Sequence, residues 1–155
     1  MMRSTAVLAA ATMLLLSCGR TEGPCVQVTQ VDAEEILGQP VKDAVSEGNV
    51  CRYESVSSGR DVATLAVAIH HERSVRKARE GYEAWKRKWG SGQVVDGLGD
   101  SAYLQTQGKA GETLGTGALS VVRGRTWLVL SLVVAEKKAS YAALLEVAKR
   151  VVRDA

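Results

Sequence analysis

The stretch Trp127-Leu128-Val129-Leu130-Ser131-Leu132-Val133-Val134 decides the fold. Successive side chains of a β-strand point to opposite faces of the sheet, and in this stretch both alternating sets are mainly apolar. Such a strand is typical of the middle of a sheet that is covered on both sides. The residues therefore predict a central strand over 127–134.

Three further strands are predicted, and the turns beside them predict two hairpins. Residues 118–122 are joined to the central strand by Arg123-Gly124-Arg125, and residues 50–56 are joined to residues 62–71 by a turn-rich segment. Within residues 62–71, alternation predicts that the larger apolar side chains face the core: Leu65, Val67 and Ile69.

Helices are expected at three places. Asp32 is a candidate N-cap for a short helix that ends at Gly38. Ser74 and Gly90 bound a longer helix, and a last helix is expected over about 137–152. The long helix has an apolar stripe that we expect to be core: Val75, Ala78, Tyr82, Trp85 and Trp89.

A short strand at Val26 and Val28 and another at residues 101–105 complete the predicted order β-α-β-β-α-β-β-β-α. Because hairpins predominate, the fold class is α+β, with a mainly antiparallel sheet packed against helices. The length fits one domain.

The segment Val94-Val95-Asp96-Gly97-Leu98-Gly99-Asp100 predicts a turn in which glycine supplies positive φ angles. Its two aspartates do not converge enough oxygen donors for a calcium loop. It also lacks the third glycine and the following helix of a nucleotide-binding loop. We therefore expect no metal and no cofactor here.

The sequence offers no catalytic constellation that we can name. His70 and His71 are neighbours on a predicted strand, so their side chains should point to opposite faces and not converge on one metal or one serine. Neither Gly-x-Ser-x-Gly nor His-Glu-x-x-His occurs. We expect no enzymatic activity, and no nucleic acid partner.

Basic residues are concentrated between Arg73 and Lys88, where seven arginines and lysines stand against two glutamates. One interpretation is a solvated helix face. The other is a surface for anionic headgroups, envelope polymers or a protein partner, and its candidate binding residues are Arg76, Arg79 and Arg87.

The N-terminus has a basic tip and a short apolar stem, which is typical of an export signal. The stem ends in Leu15-Leu16-Ser17-Cys18, which resembles the lipobox of bacterial lipoproteins. That resemblance implies that residues 1–17 are removed and that Cys18 becomes the acylated first residue. Residues 18–24 would then be a tether and residues 25–155 the domain. An ordinary secretory signal is the alternative.

Three cysteines occur in the chain. If Cys18 carries lipid, Cys25 and Cys51 are the remaining thiols in an oxidising compartment, and we predict that they form a disulfide. The alternative is half of a metal site, but neither cysteine has a second ligand at the close spacing that structural zinc uses.

A broader resemblance rests on four features: the lipobox, a cysteine just ahead of a helix ending in Leu37-Gly38, Cys51-Arg52-Tyr53, and Gly97-Leu98-Gly99-Asp100-Ser101-Ala102-Tyr103. Together they resemble bacterial lipoproteins of unknown function, known chiefly from actinobacterial envelopes, in which the two matching cysteines are disulfide-bonded. The likeness spans residues 25–134. It implies a PsbP-like α/β sandwich, a fold of extracytoplasmic lipoproteins and sensor domains without catalytic machinery.

The expected function is a noncatalytic interaction or sensor-type module, anchored to a membrane by its lipid. The alternative is a carrier of a small apolar ligand or lipid held between sheet and helix. Gly19 after Cys18 favours the outer membrane in a two-membrane bacterium. With one membrane, the protein would lie on the outer face of the plasma membrane.

Overall fold

The computed structural model describes residues 23–107, 113–135 and 138–154. The predicted signal peptide, Cys18 and the first part of the tether lie outside these residues. Within them the chain forms four α-helices: α1 (Pro24–Gln27), α2 (Gln30–Leu37), α3 (Val75–Trp89) and α4 (Tyr141–Asp154). A short 3₁₀-helix lies at Gly59–Asp61. It also forms nine strands: β1 (Val45–Glu47), β2 (Val50–Glu54), β3 (Thr64–His71), β4 (Gln93–Val94), β5 (Ser101–Thr106), β6 (Thr113–Leu114), β7 (Gly117–Arg123), β8 (Thr126–Val133) and β9 (Ala139–Ser140).

Seven of these strands form one sheet in the order β1-β2-β3-β8-β7-β5-β4, and β6 and β9 pair separately. Every pair of neighbouring strands in the large sheet is antiparallel. The predicted α+β class with a mainly antiparallel sheet is therefore confirmed. So is the central position of β8, which has three strands on either side.

One face of the sheet carries the main core. Leu128, Leu130 and Leu132 of β8 are fully buried on this face, together with Leu65 and Val67 of β3. Helices α2 and α4 cover them, with these fully or almost fully buried residues: Ile36, Leu37, Leu144, Ala148 and Val151. The predicted inward face of β3 is thus confirmed.

Helix α3 covers the other face. Its Ala78 and Tyr82 pack with Tyr103, Val122 and Trp127 in a second apolar cluster. The helix lies so close to the sheet that a Cβ atom at Gly81 would be 2.8 Å from Cε3 of Trp127. The molecule therefore has three layers, with α3 alone on the face opposite α1, α2 and α4.

The outer layer is less complete than the sequence predicts. Val75 and Trp89, at the two ends of α3, are 49% and 48% exposed, so the prediction that they belong to the core is wrong. Val133 of β8 is 57% exposed for the same reason, since α3 covers only part of this face. The buried part of the helix is its middle.

The predicted first strand at Val26 and Val28 is also wrong, because this segment is the helical turn α1. Pro24 occupies the first turn, where its fixed φ suits a helix and its missing N–H is not needed. Val28 is buried, and the hydroxyl of Tyr53 donates a hydrogen bond to its carbonyl oxygen. The short strands β1, β4, β6 and β9 are additions to the predicted order.

Helix ends follow local capping rules with two corrections. Ser74 caps α3, and Gly38 and Gly90 end α2 and α3, as predicted. Both glycines have positive φ. Helix α2, however, is capped by Thr29, and Asp32 is the N3 residue of a capping box with Thr29. Helix α4 begins at Tyr141, after β9, so the predicted start near residue 137 is too early.

Candidate interaction surface on helix α3

The outer face of α3 carries a continuous row of charged side chains. Arg76, Arg79, Glu80, Glu83 and Arg87 line one shallow depression of about 250 Å³. Their spacing of three or four residues places them on one side of the helix. We call these five residues the arginine stripe. The structure thus brings the three predicted binding arginines together, and it sets two glutamates between them.

The glutamates are part of the electrostatics of the stripe. Arg76 donates a hydrogen bond to Glu80, and Lys77 Nζ lies 3.1 Å from Glu80 Oε2. The hydrogen bond from Lys77 and the nearby charge of Arg76 lower the pKa of Glu80. Glu80 is therefore ionised at neutral pH. Its four-residue spacing from Arg76 was the sequence signal for this contact.

Charge is distributed unevenly over the domain. Residues 72–89, which include α3, carry seven basic and three acidic side chains, a net charge of +4. Residues 23–61, which include α1, α2, β1 and β2, carry three basic and seven acidic side chains, a net charge of −4. The basic pole is the α3 face.

The chain enters the fold on the opposite side. Cys25 of α1 forms a disulfide with Cys51 of β2, which confirms the predicted pairing. Cys51 is buried in the main core, on the face covered by α2 and α4. The first described residue, Gly23, therefore lies on the face away from α3, and near the β1–β2 edge of the sheet.

An ion pair fixes this N-terminal part to the C-terminal helix. Arg150 Nη2 lies 2.6 Å from Oδ2 of Asp32, which also accepts hydrogen bonds from the backbone N–H and the hydroxyl of Thr29. Burial alone raises the pKa of Asp32, but the hydrogen bonds from Arg150 and Thr29 outweigh it and the pKa is lowered. These groups have a structural role.

The two histidines lie on opposite faces of β3. His70 stacks on Trp127 with 4.5 Å between ring centroids, while His71 Nδ1 lies 3.3 Å from Thr126 Oγ1. Burial lowers the pKa of His70. Among the described residues, no three His, Cys, Asp or Glu side chains lie together as metal ligands would.

The glycine-rich segment before β5 is a structural turn. Gly97 and Gly99 have φ angles of 72° and 62°, which confirms the predicted positive φ values. Asp100 Oδ2 accepts a hydrogen bond of 2.7 Å from the backbone N–H of Gly124, in the β7–β8 hairpin. The segment therefore ties β5 to that hairpin.

A larger cleft of about 590 Å³ lies at the C-terminal end of α2. Its walls combine apolar residues with polar and charged ones: Leu37, Gly38, Gln39, Ser57, Asp61, Ala63, Thr113, Val134, Ala135 and Lys138. The cleft is at the end of the sheet rather than between the sheet and a helix. This cleft is the candidate ligand site for the alternative function, a carrier of a small apolar ligand.

Comparison with known proteins gives no identification. No family model matches the chain, nor does any curated protein or solved structure. None of the described helices is both long enough and apolar enough to cross a membrane. By its fold and its charged surface, the described part of the chain is a three-layer α+β domain in which the helix α3 is basic and faces solvent.

Proposed function

We propose that the protein is a noncatalytic interaction or sensor-type module, held on the cell envelope by lipid on Cys18. The observation that carries the proposal is the arginine stripe, which lies on the face opposite the start of the domain. A basic surface on the far side of an anchored domain is positioned to meet a partner in the envelope. The location in an outer membrane, or on the outer face of a plasma membrane, belongs to the same proposal.

The disulfide supports an extracytoplasmic location. Disulfides persist in oxidising compartments and are rare in the cytosol, and Cys25 and Cys51 are bonded here. We also propose that the fold is PsbP-like. The antiparallel sheet with helices on both faces supports this finer assignment.

The geometry favours a partner other than the anchoring bilayer. The five chain steps from Cys18 to Gly23 reach roughly 17 Å when fully extended. The outer surface of α3 lies roughly 25 Å from the α1 layer, with about 10 Å between neighbouring layers and about 5 Å for the helix radius. If the lipid anchors the chain, the tether is too short for the domain to lie with α3 on the same membrane.

Exposed valines allow this orientation to be measured. Val26 and Val31 lie on α1 and α2, whereas Val75 and Val94 lie at the two ends of the α3 face. In nanodiscs containing a gadolinium-chelating lipid, the methyl signals of the first pair should broaden much more than those of the second in the full-length lipoprotein. Stronger broadening at Val75 and Val94 would contradict the proposed orientation.

Binding through the stripe is tested by charge reversal. Arg76→Glu, Arg79→Glu and Arg87→Glu together should reduce the recovery of crosslinked envelope partners with the protein. The matched control reverses three exposed arginines away from the stripe: Arg60, Arg123 and Arg153. Equal recovery with both triple variants would remove α3 from the proposal.

The carrier of a small apolar ligand is the second candidate. The cleft at the end of α2 has a volume within the usual range of ligand sites. Its polar and charged walls suit an apolar ligand less well than an enclosed apolar cavity would. Native mass spectrometry of the purified lipoprotein would support the carrier if a lipid or small molecule stayed bound after delipidating washes.

A further inference from the structure

We infer that the arginine stripe binds an acidic segment of a protein, on the side of the domain away from the anchoring membrane. This inference rests on the proposed function and narrows the partner from an envelope protein or anionic polymer to a protein. Two features of α3 carry it: the kinds of basic residue on and beside the stripe, and the position of its glutamates.

The basic residues on α3 are sorted by type. The basic residues of the stripe are all arginines, at positions 76, 79 and 87, whereas Lys77, Lys86 and Lys88 lie outside the depression. Lys77 pairs with Glu80, and Lys86 Nζ lies over the ring of Tyr103 at 4.9 Å. Arginine presents a planar fork that binds a carboxylate through two hydrogen bonds, and it is enriched in protein interfaces where lysine is depleted.

The glutamates disfavour a uniformly anionic polymer. Glu80 and Glu83 lie between Arg79 and Arg87 on the same row, and Glu80 is ionised. A polymer with a negative charge on every repeat would place like charges beside both glutamates. A protein segment can instead place carboxylates opposite the arginines and a neutral or basic residue opposite the glutamates.

The spacing of the row sets the expected pattern in the partner. Arg76 is already hydrogen-bonded to Glu80, so the partner is expected at the other two arginines of the stripe. Arg79 and Arg87 are eight residues apart, about 12 Å along the helix axis. The partner segment should therefore carry two acidic groups separated by about this distance. A face one helix wide gives a small interface, so the contact is transient in solution and is favoured by confinement to the envelope.

Photocrosslinking in cells that make the full-length lipoprotein tests the inference. Ala84 is exposed on α3 beside the stripe, and Ala142 is an exposed alanine on α4, on the opposite face. Replacing either with benzoylphenylalanine leaves all five stripe residues intact. The Ala84 probe should give an adduct to a protein segment with an excess of Asp and Glu, and the Ala142 probe should not.

Adding Arg79→Glu and Arg87→Glu to the Ala84 probe should lower the adduct yield by about tenfold, since two ion pairs become repulsive contacts. An adduct to lipid or glycan alone, an adduct to a basic or neutral protein segment, or no adduct from Ala84 would each overturn the inference. An adduct to lipid or glycan, or to a protein segment that is not acidic, overturns this inference and leaves the proposed interaction module standing. If Ala84 gives no adduct, the recovery of crosslinked partners with the triple charge reversal shows whether the proposed function fails as well.

Discussion

The replacement Asp32→Ala is expected to destabilise the fold much more than the loss of an exposed side chain on α2. It removes three hydrogen bonds, of 2.7, 2.8 and 2.6 Å, from the Thr29 backbone, the Thr29 hydroxyl and Arg150. Loss of the bonds from Thr29 to the Asp32 carboxylate costs about 1 kcal/mol, while the other half of the capping box, from the backbone N–H of residue 32 to the Thr29 hydroxyl, remains. Loss of the charge-assisted bond costs about 1–2 kcal/mol after a discount for Arg150, whose side chain is 42% exposed. The expected total is about 2–3 kcal/mol.

The effect should depend on pH in a defined direction. The pKa of Asp32 in the folded protein is lowered from its usual 3.8. The stabilisation is therefore present above pH 3.8 and is lost as the pH falls through the folded-state pKa. The difference between the wild type and the variant should shrink at low pH.

Urea unfolding followed by circular dichroism measures this difference at neutral and at low pH, because urea carries no charge and does not screen the ion pair. Glu35→Ala is the matched control, because Glu35 is exposed on the same helix, and its effect should stay within about 0.5 kcal/mol. The reasoning is refuted if both variants lose the same stability at neutral pH, or if the Asp32→Ala deficit does not change with pH.

Three other predictions follow from the fold. Replacing Cys25 and Cys51 together with serine should lower the free energy of unfolding by about 3.5 kcal/mol, by the loop-entropy relation; a loss within error of zero in guanidinium unfolding contradicts the structural role of the disulfide. Gly99→Ala should lower the free energy of unfolding by about 2–4 kcal/mol, because φ is 62° and the new Cβ would lie only 2.7 Å from a β7 carbonyl oxygen. Gly97→Ala has a positive φ but open space around it, and should cost about 1–2 kcal/mol. Equal costs for the two variants would show that the contact does not matter. The pKa of His70, lowered by burial, should appear below 6.5 in an NMR titration. Because the unfolded chain then binds the proton more tightly, the free energy of unfolding should fall as the pH drops from 6.5 through the pKa of folded His70. A titration midpoint at or above 6.5 would argue against burial.

The elements that could be predicted from sequence are those fixed by residues close together in the chain. The apolar alternation of β8 identified the centre of the sheet because few other positions tolerate two apolar faces. Ser74, Gly38 and Gly90 were recognisable because a cap depends only on the backbone groups of its own helix. The pairing of Cys25 with Cys51 followed from the cysteine count once Cys18 was assigned to lipid.

Features that depend on tertiary packing could not be predicted from sequence. The two valines at 26 and 28 satisfy a strand pattern over too few residues to distinguish it from the helical turn that Pro24 begins. The exposure of Trp89 follows from how far α3 extends over the sheet, which helical periodicity does not encode. The strands β4, β6 and β9 have two residues each, too few for an alternation pattern, and are recognised only by their pairing with another strand.

The candidate surface also has one feature that could be predicted from sequence and one that could not. The clustering of Arg76, Arg79 and Arg87 on one helix face could be predicted from their spacing. Their position opposite the entry of the chain could not, because it depends on which face of the sheet each helix covers. In the proposed function, that position is what favours a partner other than the membrane.

The most direct test of lipid anchoring is the mass of the mature N-terminus in protein extracted from envelopes. We expect a chain that begins at Cys18 and carries the mass of a diacylglycerol group, and we expect Cys18→Ser to abolish this species. A mature chain that begins elsewhere, or an unmodified Cys18, would contradict the account.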